Sequence, residues 1–161
     1  LQSGDDGGLR AMGRRYSVRQ YLERLAPRAE AFNLTSDVIV GFPTEGEAAF
    51  RNTLATVERA GITKVHVLPY SPRPGTATQA VDTVPAGVKR ERSARLRALS
   101  DELSRRRWLA RVGTVDRVLV DRPGRGYADD YTPWLVEGEV GSLVTARALG
   151  VAAEGVLAVA A

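Results

Sequence analysis

Two clusters in this chain combine residue types and spacing that could do binding chemistry. Ser71 and Arg73 stand in the run Ser71-Pro72-Arg73-Pro74-Gly75-Thr76, where two prolines fix the backbone. A hydroxyl and a guanidinium on so rigid a loop could meet a cofactor or a substrate, and a guanidinium offers a carboxylate two parallel hydrogen bonds. The second cluster interleaves Arg117, Arg122 and Arg125 with Tyr127, Tyr131 and Trp134. Cations track phosphate and rings stack on unpaired bases, as in other small RNA-binding barrels. Trp134 suits a barrel core equally well. The single His66 alternates with Val65 and Val67, the pattern of a satisfied core or interface histidine ahead of an acid-base catalyst. With one histidine and no cysteine, no thiolate metal site can be built here. Asp37, the least hydrophobic residue of its strand, reads as a cap or a structural acceptor.

The element that must position the first cluster is Thr35 to Glu45, TSDVIVGFPTE. Val38, Ile39 and Val40 form a β-branched run of the kind buried on both faces of a parallel sheet, and Gly41-Phe42-Pro43 ends it abruptly. Gly41 serves the turn, and Phe42 is either core or a platform beside a site. Thr44 and Glu47 stand in capping-box spacing, so a helix is expected behind the turn, with Phe50, Leu54 and Val57 on one face and Gly61 as its stop. Lys64 to Tyr70 is the next strand, and its carboxyl end delivers Ser71. Upstream, Leu1 to Gly8 reads as a polar glycine-rich loop entered from what could be the last residue of a strand. Ser17 and Gln20 form another capping box, ahead of a helix carrying Val18, Tyr21, Leu22 and Leu25 and reaching to about Ala31. This order predicts an α/β fold with parallel neighbours and both turns at one end of the sheet, the end where such folds build active sites.

From Val88 to about Arg111 one long helix is expected, with a narrow apolar stripe of Val88, Leu96, Leu99 and Leu103. Its basic residues, among them Lys89, Arg92, Arg95, Arg107 and Arg111, heavily outnumber Glu91, Asp101 and Glu102. That excess reads as a solvated face or as a surface for phosphate. After Gly113 the period becomes two, and short apolar runs separated by glycine predict a small antiparallel barrel or sandwich, with the domain boundary near Arg111 to Gly113. The 161 residues, 43% of them hydrophobic, suffice for a core and a small appendage, and the net charge of +4 fits a polyanionic partner or generic surface charge. No apolar run approaches a membrane span, which leaves a cytoplasmic setting and no membrane partner. A start at Leu1 rather than Met suggests a piece of something longer.

LQSG, AMGRRYS, SDVIVGFPTE, YSPRPGT and the helix VKRERSARLRALSDE, in this order and spacing, closely resemble the second half of radical S-adenosylmethionine methylthiotransferases of the MiaB type. The resemblance covers nearly the whole chain. It implies the C-terminal half of a TIM-like partial radical SAM barrel over residues 1–111, ending in the long basic helix, and a TRAM-like RNA-binding barrel over residues 112–161. It also implies S-adenosyl-L-methionine and two 4Fe-4S clusters, whose cysteine ligands lie outside this chain. Partners would be a tRNA anticodon arm and the missing N-terminal part of the same enzyme. The fragment alone would then be inactive.

The same resemblance places Gln2, Ser3 and Arg14 beside S-adenosylmethionine, Arg14 suiting its methionyl carboxylate, and Gly41 and Ser71, at the strand ends, join them as cofactor-side candidates. The HVLPYSPRPGT and GRGYADDYTPWLV segments look most similar to the MtaB branch, which acts on N(6)-L-threonylcarbamoyladenosine. Arg73 could there meet the threonyl carboxylate. Isopentenyladenosine and a ribosomal-protein aspartate are the alternative substrates. An RNA-binding α/β module without catalysis is the alternative class, and a phosphate-binding half-barrel enzyme lacks the glycine spacing it would need.

Overall fold

The computed structural model describes residues 1–29 and 31–161. They form two compact units, one of residues 1–29 with 34–103, the other of residues 31–33 with 104–161. No helix among the described residues is long and apolar enough to cross a membrane.

In the first unit, helices α1 (Asp6–Ala11) and α2 (Val18–Leu25) precede strand β1 (Leu34–Val40), helix α3 (Glu47–Arg59), strand β2 (Ile62–Pro69) and, as far as Leu103, helix α4 (Ala86–Leu109). The strands pair in parallel, from Leu34 opposite Ile62 to Val40 opposite Pro69, so their carboxyl ends lie together. Gln2 adds a rung on the free edge of β1: its N–H donates to the Asp37 oxygen and its own oxygen accepts from Ile39, each at 2.9 Å. Val38 and Val40 are fully buried against Phe50, Val57, Ile62, Val65 and Leu96. Ser93, Leu96, Ser100 and Leu103, at helical intervals of three and four, form the buried stripe of α4. The Ser100 hydroxyl accepts from the Val65 N–H at 2.9 Å, so a polar residue in that stripe satisfies a strand donor that the ladder leaves open.

Several expectations give way to tertiary context. Leu1 to Gly8 contains the start of α1: Asp5 caps it by accepting from the Gly8 N–H at 2.9 Å, and the fully buried Leu9 anchors it. That burial outweighs the poor helix propensity of Gly7 and Gly8. Helix α2 has the expected capping box at Ser17 and Gln20 but ends at Leu25. Pro27, which has no N–H to donate, follows directly. The Thr44 and Glu47 capping box does not form; Gly46 is the N-cap of α3, without a side-chain bond. Glu47 instead pairs with Arg51 at 3.2 Å and Arg95 at 2.9 Å. The β1 run is buried on one face only, because Ile39 turns toward the cleft described below.

The second unit is a closed barrel of β3 (Val115–Arg122), β4 (Arg125–Ala128), β5 (Pro133–Leu135), β6 (Leu143–Ala152) and β7 (Gly155–Ala160), in the order β3-β4-β5-β7-β6. All its pairings are antiparallel except β5 with β7. Val118, Val120, Trp134, Ala146 and Val156 fill it. The period of two in β3 therefore points Val118 and Val120 inward and leaves Val115 and Leu119 exposed.

Candidate ligand cleft and nucleic-acid surface

The carboxyl ends of β1 and β2 open onto a cleft of about 600 Å³. Its apolar wall includes Ile39, Leu68, Phe42 and Tyr70, the last two rings meeting edge to face at 5.2 Å between centroids. The Tyr70 N–H donates to the Val40 oxygen at 2.8 Å, so the ladder continues into the turn and sets both rings at the same end. The Tyr70 hydroxyl donates to the Thr78 oxygen at 2.9 Å, which ties the loop carrying Ser71 and Arg73 back over the strand end.

Gln2, Arg14, Ser71 and Arg73 all line this cleft. Gln2 does so from a left-handed backbone, φ 75°, and Arg14 from a chain reversal in which its N–H reaches the Leu9 oxygen at 2.8 Å. Arg10, on the helix that local propensity hides, is a further cation in the wall. Among the described lining residues are three arginines and no carboxylate. An apolar wall with guanidiniums and no carboxylate among its described lining residues is chemistry for a ligand with a flat apolar part and a carboxylate or phosphate. Ser3 is elsewhere: it is 3% exposed, and its hydroxyl accepts from the Asp5 N–H at 3.2 Å. Short-range hydrogen bonding turns it away from the cleft and into the entry to α1.

Gly41 shapes the cleft from behind. Its φ is 78°, and a Cβ there would lie 2.5 Å from Lys89 Cγ. Lys89 runs past this glycine, buried with only 8% of its surface exposed, and its ammonium donates to the Tyr70 oxygen at 3.0 Å and to Asp82. The Gly41 N–H donates to Glu45 at 2.8 Å, and Glu45 is held by Arg92. Burial pushes the Glu45 carboxyl above its ordinary range, against the opposing pull of the Gly41 N–H and Arg92. Glu45, Lys89 and Arg92 escape sequence reasoning because nothing in their spacing brings them to one turn; the only trace is a charged residue every third or fourth position on one helix face.

His66 is neither core nor catalyst-like in its setting. It is exposed on β2, beside a recess lined also by Lys64, Arg97 and Asp101. Its alternation with Val65 holds, but it is the valine that faces the helices. Asp37, directly opposite His66 in the parallel register, is exposed on the same face.

In the barrel unit, the outward arginines carry carboxylate partners. Arg117 meets Asp129 at 3.0 Å, Arg122 meets Asp121 at 3.5 Å and Arg125 meets Glu154 at 3.9 Å. The first two pairs are solvent-exposed and worth about 0–1 kcal/mol, so phosphate could replace the carboxylate at little cost. Arg125 lies 5.7 Å from the Tyr127 ring centroid, so one face of that ring is covered. Trp134 is fully buried and supplies core volume rather than a surface ring. Tyr131 is its opposite, 77% exposed. Much of the basic excess of α4 and of the turn after it is consumed internally: in the helix Arg92 by Glu45, Arg95 by Glu47 and Glu91 and Arg107 by Asp130, and in the turn Arg111 by Asp116.

Among the described residues no group of three or more histidine, cysteine, aspartate or glutamate side chains could hold a metal. The cleft residues fit S-adenosylmethionine, whose carboxylate matches the guanidiniums. Without cysteine, these residues do not fit an iron–sulfur cluster.

No protein-family model matches the chain. It is 43% identical over 129 residues to a tRNA-2-methylthio-N(6)-dimethylallyladenosine synthase of Alkalilimnicola ehrlichii, covering 78% of this chain and 29% of that protein. A protein of the same name from Syntrophotalea carbinolica is 40% identical over 141 residues, 83% of this chain and 32% of the relative. The threonylcarbamoyladenosine tRNA methylthiotransferase MtaB of Thermotoga maritima is 33% identical over 167 residues, 98% of this chain and 38% of the relative. The chain thus spans about a third of the length of the curated relatives it matches.

Proposed function

Since this chain belongs by its sequence to the MiaB/MtaB-type methylthiotransferases, we propose that it is the cofactor-cleft and RNA-holding part of an enzyme that adds a methylthio group to a modified adenosine of tRNA. The first unit is then part of a radical SAM barrel, and the closed barrel is TRAM-like. The observation that carries this reading is the cleft itself, with three guanidiniums and no carboxylate at the joint carboxyl ends of two parallel strands.

S-adenosylmethionine bound there would supply the radical chemistry, with clusters whose ligands this chain does not provide. The chain's own residues bind and orient. Arg14 takes the methionyl carboxylate as a two-pronged donor, Gln2 and Ser71 add hydrogen bonds, Gly41 shapes the turn, and the wall of Ile39, Leu68 and Phe42 packs against the flat base. Arg73 and Arg10 are left for a second anion. On that ground we read the substrate as N(6)-L-threonylcarbamoyladenosine, whose threonyl group carries a carboxylate. The second reading, an isopentenyl-type adenosine, is favoured by the relatives named as dimethylallyladenosine synthases at 40 and 43% identity. In the barrel, Arg117, Arg122 and Arg125 exchange their carboxylates for phosphates, in the cytoplasm where tRNA resides.

Calorimetric titration with S-adenosylhomocysteine tests the cleft: Arg14→Leu should weaken binding at least tenfold, whereas Arg73→Leu should not. A parent chain that ignores the ligand, or an Arg14→Leu variant that binds as well, would refute the assignment. Arg73→Leu should weaken the threonylcarbamoyl nucleoside and spare isopentenyladenosine; the reverse selects the second reading. Affinity for a tRNA anticodon arm should fall steeply with salt, and Arg122→Ala with Arg125→Ala should flatten that slope.

A further inference from the structure

The turn between β4 and β5 holds Tyr131 at φ 65°, the left-handed region, although a side chain with a Cβ is sterically disfavoured there. Glycine would make this turn without that cost. The ring does not repay it by burial, because 77% of the residue is exposed. The conformation is imposed by its surroundings. The Tyr131 N–H donates to the Ala128 oxygen at 2.9 Å, the Ala128 N–H to the Thr132 oxygen at 3.0 Å, and the Thr132 N–H to Asp130 Oδ1 at 3.0 Å. Asn33 Nδ2 donates to the Tyr131 oxygen at 3.3 Å. Asp130 Oδ2 is in turn held by Arg107 at 3.0 Å and Arg111 at 3.8 Å.

The charges around the ring suit a polyanion. The two carboxylates that precede it in the chain are both countered, Asp129 by Arg117 and Asp130 by Arg107 and Arg111. Neither presents bare negative charge to an incoming phosphate. A strained, tightly pinned backbone that displays a flat, solvent-facing ring is a preorganised platform, and stacking on a ring is how proteins hold unpaired bases without reading their identity.

We propose that Tyr131 is a stacking platform for one unpaired nucleotide of the bound RNA, held ready by the Asp130-centred turn. This rests on the RNA-binding reading of the barrel and adds to it that the recognised element is single-stranded. Ring and turn are separable: the turn is held by main-chain and Asp130 contacts, and the ring is free to work outward.

The test measures fluorescence anisotropy of the full chain with two labelled RNAs, an anticodon-arm hairpin with an unpaired loop and the same stem closed into a continuous duplex. Tyr131→Gly should bind the hairpin about five- to a hundredfold more weakly, the loss expected when a base-stacking ring is removed. Duplex affinity and salt slope should stay as in the parent, and the thermal midpoint should stay or rise because the left-handed strain is relieved. Tyr131→Phe should bind the hairpin like the parent. Tyr131→Asn, which tolerates the left-handed region, should reproduce the glycine result and guards against a folding defect. Hairpin affinity unchanged in the glycine and asparagine variants, or equal losses for hairpin and duplex, would overturn the platform while leaving RNA binding standing. A parent chain that binds neither RNA would overturn the RNA reading and the platform with it.

Discussion

Arg92 donates from one nitrogen to both the main-chain oxygen and a carboxylate oxygen of Glu45, each at 2.9 Å, with neither side chain more than 7% exposed. Because the same carboxylate accepts the Gly41 N–H, the pair fixes the turn behind the cleft. Removing one partner strands a buried charge, so Arg92→Met should destabilise the chain by about 3–5 kcal/mol. Adding Glu45→Leu should recover part of that loss, leaving the Gly41 donor as the residual cost. Urea unfolding of the single and double variants measures both.

Gly41→Ala tests the same turn from the backbone side. A Cβ at φ 78° costs roughly 1–2 kcal/mol by itself, and here it would also meet the stem of Lys89 at 2.5 Å. The expected loss therefore exceeds the backbone figure. Shortening Lys89 to Ala should relieve only the steric share, so a double-mutant cycle should show positive coupling between the two sites. Additive losses would mean that Lys89 moves aside freely.

Trp134 separates volume from polarity in the barrel. It is fully buried, and its indole N–H has no hydrogen-bond partner among the described residues. Trp134→Ala should cost about 3–5 kcal/mol through the cavity it leaves. Trp134→Phe should cost much less, because the lost contacts are offset by removal of an unsatisfied donor. Thermal melts read this directly, and a phenylalanine variant as damaged as the alanine one would contradict it.

Asp130 gives the barrel unit an acid limit. Burial alone would raise its carboxyl, but hydrogen bonds from Thr132 and the guanidiniums of Arg107 and Arg111 outweigh burial and hold it below the usual carboxylate range. A group whose folded pKa is depressed stabilises above its unfolded value near 4 and loses that contribution as pH falls through the folded value. The unfolding midpoint should therefore drop on acidification below about pH 4. Asp130→Asn should start lower at neutral pH and lose that part of the acid dependence. The comparison is a series of melts from pH 7 to pH 2.

Much of the strand and turn framework is written locally. The β-branched run ending at Gly41 and the next strand ending at Pro69 are the two parallel strands of the structure, and Ser17 with Gln20 makes its capping box. Val118 and Val120 show the limit of such reading: period two identifies β3, but which alternate set faces inward is decided by the closure of the barrel. Arg10 shows another limit, since its helix exists because Leu9 is buried, and local propensity carries no record of that burial.

By itself the sequence determined what depends on neighbours along the chain: strands from β-branched runs, turns from glycine and proline, the start of α2 from its Ser17 and Gln20 cap, and the order of motifs that carries the family. Tertiary structure decided what depends on partners far apart in number. It paired Arg92, Arg95 and Arg107 of α4 with specific carboxylates, sent Trp134 inward and Tyr131 outward although both are aromatic residues near one turn, and exposed His66. It also joined Gln2, Arg10, Arg14, Ser71 and Arg73 around one cleft. The physical reason is that burial, ion pairing and cleft geometry are properties of the space between elements, and their energies exist only once the chain has closed.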